Sequence, residues 1–396
     1  MRTARRVDRI DPFYVMECAK AAQRIAATPA CDPARGGEPM LYLNIGEPDF
    51  GAVPAVAEAA RACLADVRTQ YTQAAGLPAL REAIAGWYAT RWSLDVDPAR
   101  IVVTAGASAA LQLATLLLFE AGDEVLMPDP SYPCNRHFVA AADATPVLLH
   151  CGPPQRYQPD AGQIDAAWTD ATRGVLLASP SNPTGTSIAF DELARIVDVV
   201  RVRGGVTLID EIYLGLSYEA AYSRSALALP GAADALISIN SFSKTFCMTG
   251  WRLGWLVLPA ALVPAVEKLA QNLYICPSSL AQHAALACFT PESLAEVERR
   301  RLVFQARRDF IVPRLEAIGL RVPVRPDGAF YAWIDASAHT QDSWRFAFEL
   351  MERAHVALTP GRDFGRHGVE RYLRLSYATG LEQLDAAVGR LERVLG

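Results

Sequence analysis

Asn240-Ser-Phe-Ser-Lys244-Thr-Phe-Cys-Met-Thr-Gly-Trp-Arg252-Leu-Gly-Trp-Leu256 sets one lysine among three hydroxyls, those of Ser241, Ser243 and Thr245. An arginine, Arg252, follows between Gly250 and Gly254. The run before it, residues 235–240, is apolar and β-branched and predicts a buried strand. Lys244 then falls just past a strand end, where α/β folds present their ligand-binding groups. A lysine in apolar surroundings loses solvation, so its neutral amine is favoured and its pKa falls. A neutral amine can form a Schiff base with an aldehyde. The hydroxyls and Arg252 suit an anion such as a phosphate. The plain alternative is a lysine snorkelling from a strand end.

Working outward, strand and helix patterns alternate from about 100 to 260, which implies a parallel or mixed sheet covered by helices. Val206-Thr-Leu-Ile-Asp210 is an apolar strand that ends on a carboxylate, where an unpaired charge would be expensive. Tyr213 follows at D-x-x-Y spacing. Residues 174–178 form a strand followed by Ser179-Pro-Ser-Asn182-Pro-Thr-Gly-Thr186, a turn held rigid by its prolines. Residues 101–106 form a strand, and Ala107-Ser108 opens a helix to Leu118 whose first N–H groups could receive an anion. The run lacks G-x-x-x-x-G-K and is no P-loop. Residues 101–119 are also long enough to span a bilayer, but Gly106, Ser108 and Gln112 make a strand, a turn and a buried helix the better reading.

The remaining landmarks are Gly46 in Gly-Glu-Pro-Asp-Phe50, after a short strand over 41–45, and Tyr71 in Tyr-Thr-Gln-Ala-Ala-Gly76. A helix is expected from Pro54, and another from Pro78, a good first helical position. Tyr132 closes the strand that begins at Glu124. Residues 11–27 predict a helix packed over another domain, and 260–289 read as helical. Residues 293–318 predict a long charged helix. Gly328–Ile334 alternates as a half-buried strand would, Leu358–Gly365 reads as a loop, and Tyr372-Leu-Arg374-Leu-Ser-Tyr377 is the last strand.

In order and spacing these motifs resemble the class I/II aminotransferases of fold type I, which depend on pyridoxal 5'-phosphate (PLP). The likeness is strongest to the bacterial aspartate aminotransferase group. The resemblance implies an α/β fold with a large domain, built on a mostly parallel seven-stranded sheet between helices, and a smaller α+β domain. Residues 49–290 are expected to form the large domain, with 1–48 and 291–396 forming the small one. It also implies a ping-pong transfer from an L-amino acid donor to a 2-oxo acid acceptor, with Lys244 as the Schiff-base lysine. Asp210 would hold the ring nitrogen's proton, Asn182 and Tyr213 would reach the phenolic oxygen, and Tyr132 would stack on the ring. Ala107, Ser108, Ser241, Ser243 and Arg252 would bind the phosphate. Tyr71 would reach the cofactor phosphate of a neighbouring subunit in a homodimer with shared sites. Gly46, Asn182 and Arg374 would meet the substrate, Arg374 binding its α-carboxylate with a guanidinium fork.

Composition sets outer limits. With 396 residues, 51% hydrophobic and 20% charged, the chain suits a globular enzyme with ample core. A net charge of −5 with no basic face argues against nucleic acid. The eight cysteines show no C-x-x-C pair and no metal-ligand spacing with histidine, as expected of reduced thiols in a cytoplasmic protein. Cys247, near Lys244, is read as a packing residue. The basic start, Met-Arg-Thr-Ala-Arg-Arg, lacks an apolar run and is not expected to be a secretory signal.

The donor is less determined. Where the nearest branch of the family carries a lysine for a distal carboxylate, this chain has Ser108, so aspartate preference is in doubt. Neutral, aliphatic and aromatic donors stay open, with 2-oxoglutarate or pyruvate as acceptor. The same lysine, aspartate and arginine would also serve a carbon–sulfur lyase or an aminocyclopropane-type cyclase. A non-catalytic regulator with this domain would need a DNA-binding module, which the N-terminal stretch is too short to supply.

Overall fold

The computed structural model describes residues 1–396. Its principal sheet has seven strands in the order Ile101–Thr104, Gly254–Val257, Leu236–Ser241, Val206–Asp210, Thr172–Ala178, Glu124–Asp129, Thr145–His150. Gly254–Val257 runs antiparallel to both of its neighbours, and the other pairings are parallel. The sheet is therefore mostly parallel and mixed. Helices cover both faces, which is why the inner strands read as unbroken apolar runs. Gly254 is required where the reversed strand passes the others: a Cβ there would lie 2.8 Å from both Ala107 N and Asn240 O.

The carboxyl ends of the parallel strands share one edge. From that edge leave the segments carrying Ala107 and Ser108, Tyr132, Asn182, Asp210 with Tyr213, and Lys244. Lys244 is held there by its neighbours in sequence. Phe242 and Phe246 point away from it into an aromatic cluster, with Phe242 5.0 Å from Trp255 and Phe246 5.4 Å from Trp87. Such ring pairs contribute about 0.5–1.5 kcal/mol each beyond their burial. The 101–119 run is the strand Ile101–Thr104 and the helix Ala107–Leu118, and no helix is long and apolar enough to cross a membrane.

A second sheet is antiparallel, in the order Thr359–Pro360, Tyr372–Ser376, Tyr331–Asp335. Arg374 thus stands on a middle strand, facing Trp333 on one side and Thr359 on the other. The strand expected to be half-buried, Tyr331–Asp335, is buried at every residue, because Ala332 and Ile334 share an apolar cluster with Phe304, Ile311 and Leu315 of the long helix while Trp333 on the other face packs on Phe364. The strand expected over 41–45 is shorter, Leu41–Tyr42, and pairs in parallel with Val356–Ala357. The 260–289 stretch is broken into the helices Val263–Leu273 and Ser279–Ala285, since Pro277 and the left-handed Ile275 interrupt it. Pro291–Ala317 is a 27-residue helix whose Arg307 grips Asp49 with two bonds of 2.8 and 2.7 Å. Helices begin at Pro54 and Pro78 as expected. The N-terminal helix, Tyr14–Ala26, packs on Ser343–Arg353 and stops before Gly36.

Candidate active site

One cavity of about 270 Å³ gathers Gly46, Ala107, Ser108, Tyr132, Asn182, Asp210, Tyr213, Ser241, Ser243, Lys244, Arg252 and Arg374. Of the residues singled out from sequence, Tyr71 alone lies elsewhere, 80% exposed at the surface. A wider groove of about 600 Å³ runs alongside, past Phe50, Trp251 and Leu280. It shares Thr249 with the cavity and takes Glu47, Asp49, Cys247 and Gly250 from the same motifs, but none of the twelve residues gathered in the cavity.

Lys244 is partly buried, and its Nζ donates to the Gly46 carbonyl at 2.6 Å. Burial is the main influence on the amine, with Arg374 and Arg252 adding to it and Glu47 opposing, and its pKa comes down to about 8. A neutral amine is thereby within easy reach at ordinary pH. Gly46 also makes room: a Cβ there would collide with the Tyr331 hydroxyl.

Asp210 is buried, and the one hydrogen bond to its carboxylate comes from Ile212 N at 3.0 Å. Burial pushes its pKa up to about 7, the Ile212 N–H opposing, Glu211 adding and Lys244 opposing. An acid so placed lacks a cationic partner, and a protonated ring nitrogen would supply one. Tyr213 O–H pairs with Tyr331 O–H at 2.8 Å. Burial holds the Tyr213 phenol well above its ordinary value, so it stays a neutral donor.

The phosphate end is equally specific. Helix Ala107–Leu118 begins at Gly106 without a side-chain cap, so its first N–H groups are free to receive an anion. The Arg252 guanidinium lies over that end, where a Cβ on Gly106 would sit 2.7 Å from Nη2. Its Nη1 donates to Thr249 O at 2.9 Å, and the rest of the fork is open. An uncapped helix end, an arginine and nearby serines fit a phosphate; the lysine and the unpartnered buried acid fit an aldehyde-bearing pyridine. The residues present therefore fit PLP.

Arg374 is buried and anchored by Nη1 to Asn182 Oδ1 at 2.9 Å and by Nη2 to Asn44 O at 2.6 Å. Its Nε has no partner, and neither does the Asn44 side chain. Orphaned buried polar atoms beside a cavity mark a place for a polar ligand.

Sequence reasoning missed part of the wall: Phe13, Val15, Met16, Ile45 and Tyr331 also line the cavity. It missed Asp363 too, whose carboxylate accepts from Tyr14 N and Val15 N at 3.1 and 2.9 Å and so fixes the start of the N-terminal helix. The apolar spacing of Phe13, Val15 and Met16 is visible in the sequence, but what those side chains face is set by the fold.

The family model for aminotransferases of class I and II matches residues 38–391. A valine–pyruvate aminotransferase of Mycobacterium tuberculosis is 38% identical over 96% of each chain. An aspartate aminotransferase of Pyrococcus horikoshii is 34% identical over 97% of each. The crystal structure of an aminotransferase from Mycobacterium tuberculosis superposes with a TM-score of 0.93 at 37% identity, covering 100% of this chain and 99% of the other. With that agreement over the whole chain, this protein belongs to the class I and II aminotransferases, and it is a PLP-dependent enzyme of fold type I that moves an amino group from an amino acid to a 2-oxo acid.

Proposed function

We propose that Lys244 is the Schiff-base lysine of this aminotransferase and that the residues around it divide the remaining work. When bound, PLP accepts the electron pair released at the donor's Cα. Lys244 Nζ takes the Cα proton and returns it on the other side of the transfer. Asp210 holds the proton of the ring nitrogen, and Tyr213 and Asn182 hydrogen-bond the phenolic oxygen. Ala107, Ser108, Ser241, Ser243 and Arg252 hold the phosphate, and Tyr132 covers the ring. Arg374 binds the α-carboxylate beside Gly46. The convergence of the Lys244 amine, the Asp210 carboxyl and the Arg374 guanidinium on one cavity carries this assignment. No net reagent is needed: the donor's amino group ends on the acceptor, one water supplies the keto oxygen of the former donor, and the acceptor's keto oxygen leaves as one water.

General acid–base catalysis contributes about 10²–10⁴-fold. Lys244→Ala is expected to lose at least that much turnover, and a variant as active as the parent would refute the assignment.

The proposed unit is a cytoplasmic homodimer of L-amino acid aminotransferase subunits. Tyr71, Val67 and Leu64 are 80%, 65% and 55% exposed on neighbouring turns, which supports a face covered by a second copy, with Tyr71 reaching its phosphate site. Eight unpaired cysteines support a reducing compartment. We also propose that 49–290 form the large domain and that 1–48 with 291–396 form the small one. The apolar core that joins the 18–43 and 304–391 regions, with Tyr213, Leu216 and Tyr218 added from the large domain, supports that division.

A further inference from the structure

Apart from the hydroxyls of Thr249 and Tyr331, the part of the cavity wall not assigned to cofactor or α-carboxylate is apolar. Phe13, Val15 and Met16 come to it from the start of the N-terminal helix, and Ile45 from the turn after Leu41–Tyr42. Phe13 stands edge-on to Tyr132 with ring centres 6.3 Å apart, which sets this wall next to the ring that covers the cofactor. Met16 and Ile45 are 53% and 42% exposed, apolar surface that a bound side chain would cover.

Charge points the same way. The cations lining the cavity are Lys244, Arg252 and Arg374, and each already has a task. Near the rim Glu47 is an anion that accepts from the Thr249 hydroxyl, and Arg362, beside the start of the N-terminal helix, lies over the Tyr14 and Trp344 rings and does not line the cavity. Arg136 is buried nearby with Nε and Nη1 unpartnered, but it donates Nη2 to Asp363 O at 2.9 Å and does not line the cavity. On the turn leading to Tyr71, the segment proposed to reach a partner's site, Arg68 is paired with Asp66 at 2.9 Å. A second carboxylate carried to this wall would lose its water without gaining a counter-charge. Because one site serves both halves of a ping-pong reaction, the constraint falls on donor and acceptor alike.

We propose that both substrates are monocarboxylates with neutral, apolar side chains, a 2-amino acid and a 2-oxo acid, and that Phe13, Val15, Met16 and Ile45 receive that side chain. This rests on the assignment of Lys244 and Arg374 above. The test is an absorbance titration of the holoprotein with α-methylvaline and α-methylaspartate. Neither has a Cα hydrogen, so both report binding without turnover. Half-reactions with L-valine, L-leucine, L-aspartate and L-glutamate accompany it. The expected result is a Kd at least about tenfold lower for α-methylvaline, with the same order in the half-reactions. Met16→Arg, at an exposed rim position, is expected to narrow the gap by improving the dicarboxylates. Equal or tighter binding of α-methylaspartate would overturn the inference, as would a Met16→Arg ratio unchanged from the parent. A holoprotein with no spectral response to any amino acid would instead remove the reading of Lys244, and this inference with it.

Discussion

Asn182 Oδ1 accepts a hydrogen bond of 2.9 Å from Arg374 Nη1, joining the loop after Thr172–Ala178 to the middle strand of the small antiparallel sheet. The same guanidinium is pinned by Asn44 O and lies 4.6 Å from the Tyr331 ring centre. It is therefore pre-oriented before any carboxylate arrives, and little ordering remains to be done on binding. Arg374→Lys keeps the charge and loses the planar fork. Losing one charge-assisted hydrogen bond, about 1.5–3 kcal/mol, should raise the donor's KM by about 10- to 150-fold. Steady-state kinetics on the variant measure it, and an unchanged KM would exclude Arg374 from carboxylate binding.

Asp210 and Lys244 carry opposite pH signatures in the cofactor-free protein. The Asp210 carboxyl moves from an ordinary 3.8 up to about 7, so between those values the folded state holds the extra proton. Its contribution to stability falls as pH rises through that window. Lys244 moves from 10.5 down to about 8, so the unfolded chain holds the extra proton there and stability rises with pH between 8 and 10.5. At pH 8, Asp210→Asn should stabilise the apoprotein by about 1–3 kcal/mol, because the amide removes a buried charge and still accepts from Ile212 N. The same change should weaken PLP binding. Thermal melts at pH 5 and pH 8, with and without PLP, measure both; an apoprotein destabilised at pH 8 would contradict the account.

Gly106 combines φ +83° with the Arg252 guanidinium packed above it. Its ψ of 169° puts it in a region that is essentially glycine's alone. Gly106→Ala should cost about 1–3 kcal/mol of stability and displace Arg252 from the helix end. Melting of the apoprotein together with a PLP titration checks it, and the prediction fails if cofactor affinity is unaltered.

What could be read in advance follows from how each residue reaches the site. Asn182, Asp210 and Lys244 sit at or within a few residues of a strand end, so apolar periodicity plus a short motif locates them. Phe13, Met16, Tyr331 and Asp363 come from elements 87 to 231 residues from Lys244 in sequence, brought in by tertiary packing. Asp363 holds Tyr14 and Val15 across 349 and 348 residues of chain, a tie no local pattern encodes. The burial of Tyr331–Asp335 was misjudged for the same reason: an alternating pattern describes one covered face, and here tertiary packing covers both. Conversely, the apolar stretch over 101–119 was separable into strand and helix because Gly106 and Ser108 interrupt it.

The chain has three lysines, Lys20, Lys244 and Lys268, and the first and last are exposed on helices. Borohydride reduction of the holoprotein followed by peptide mapping therefore tests the central claim directly. The account predicts a single pyridoxyl adduct on Lys244. An adduct on Lys20 or Lys268, or none at all, would contradict it.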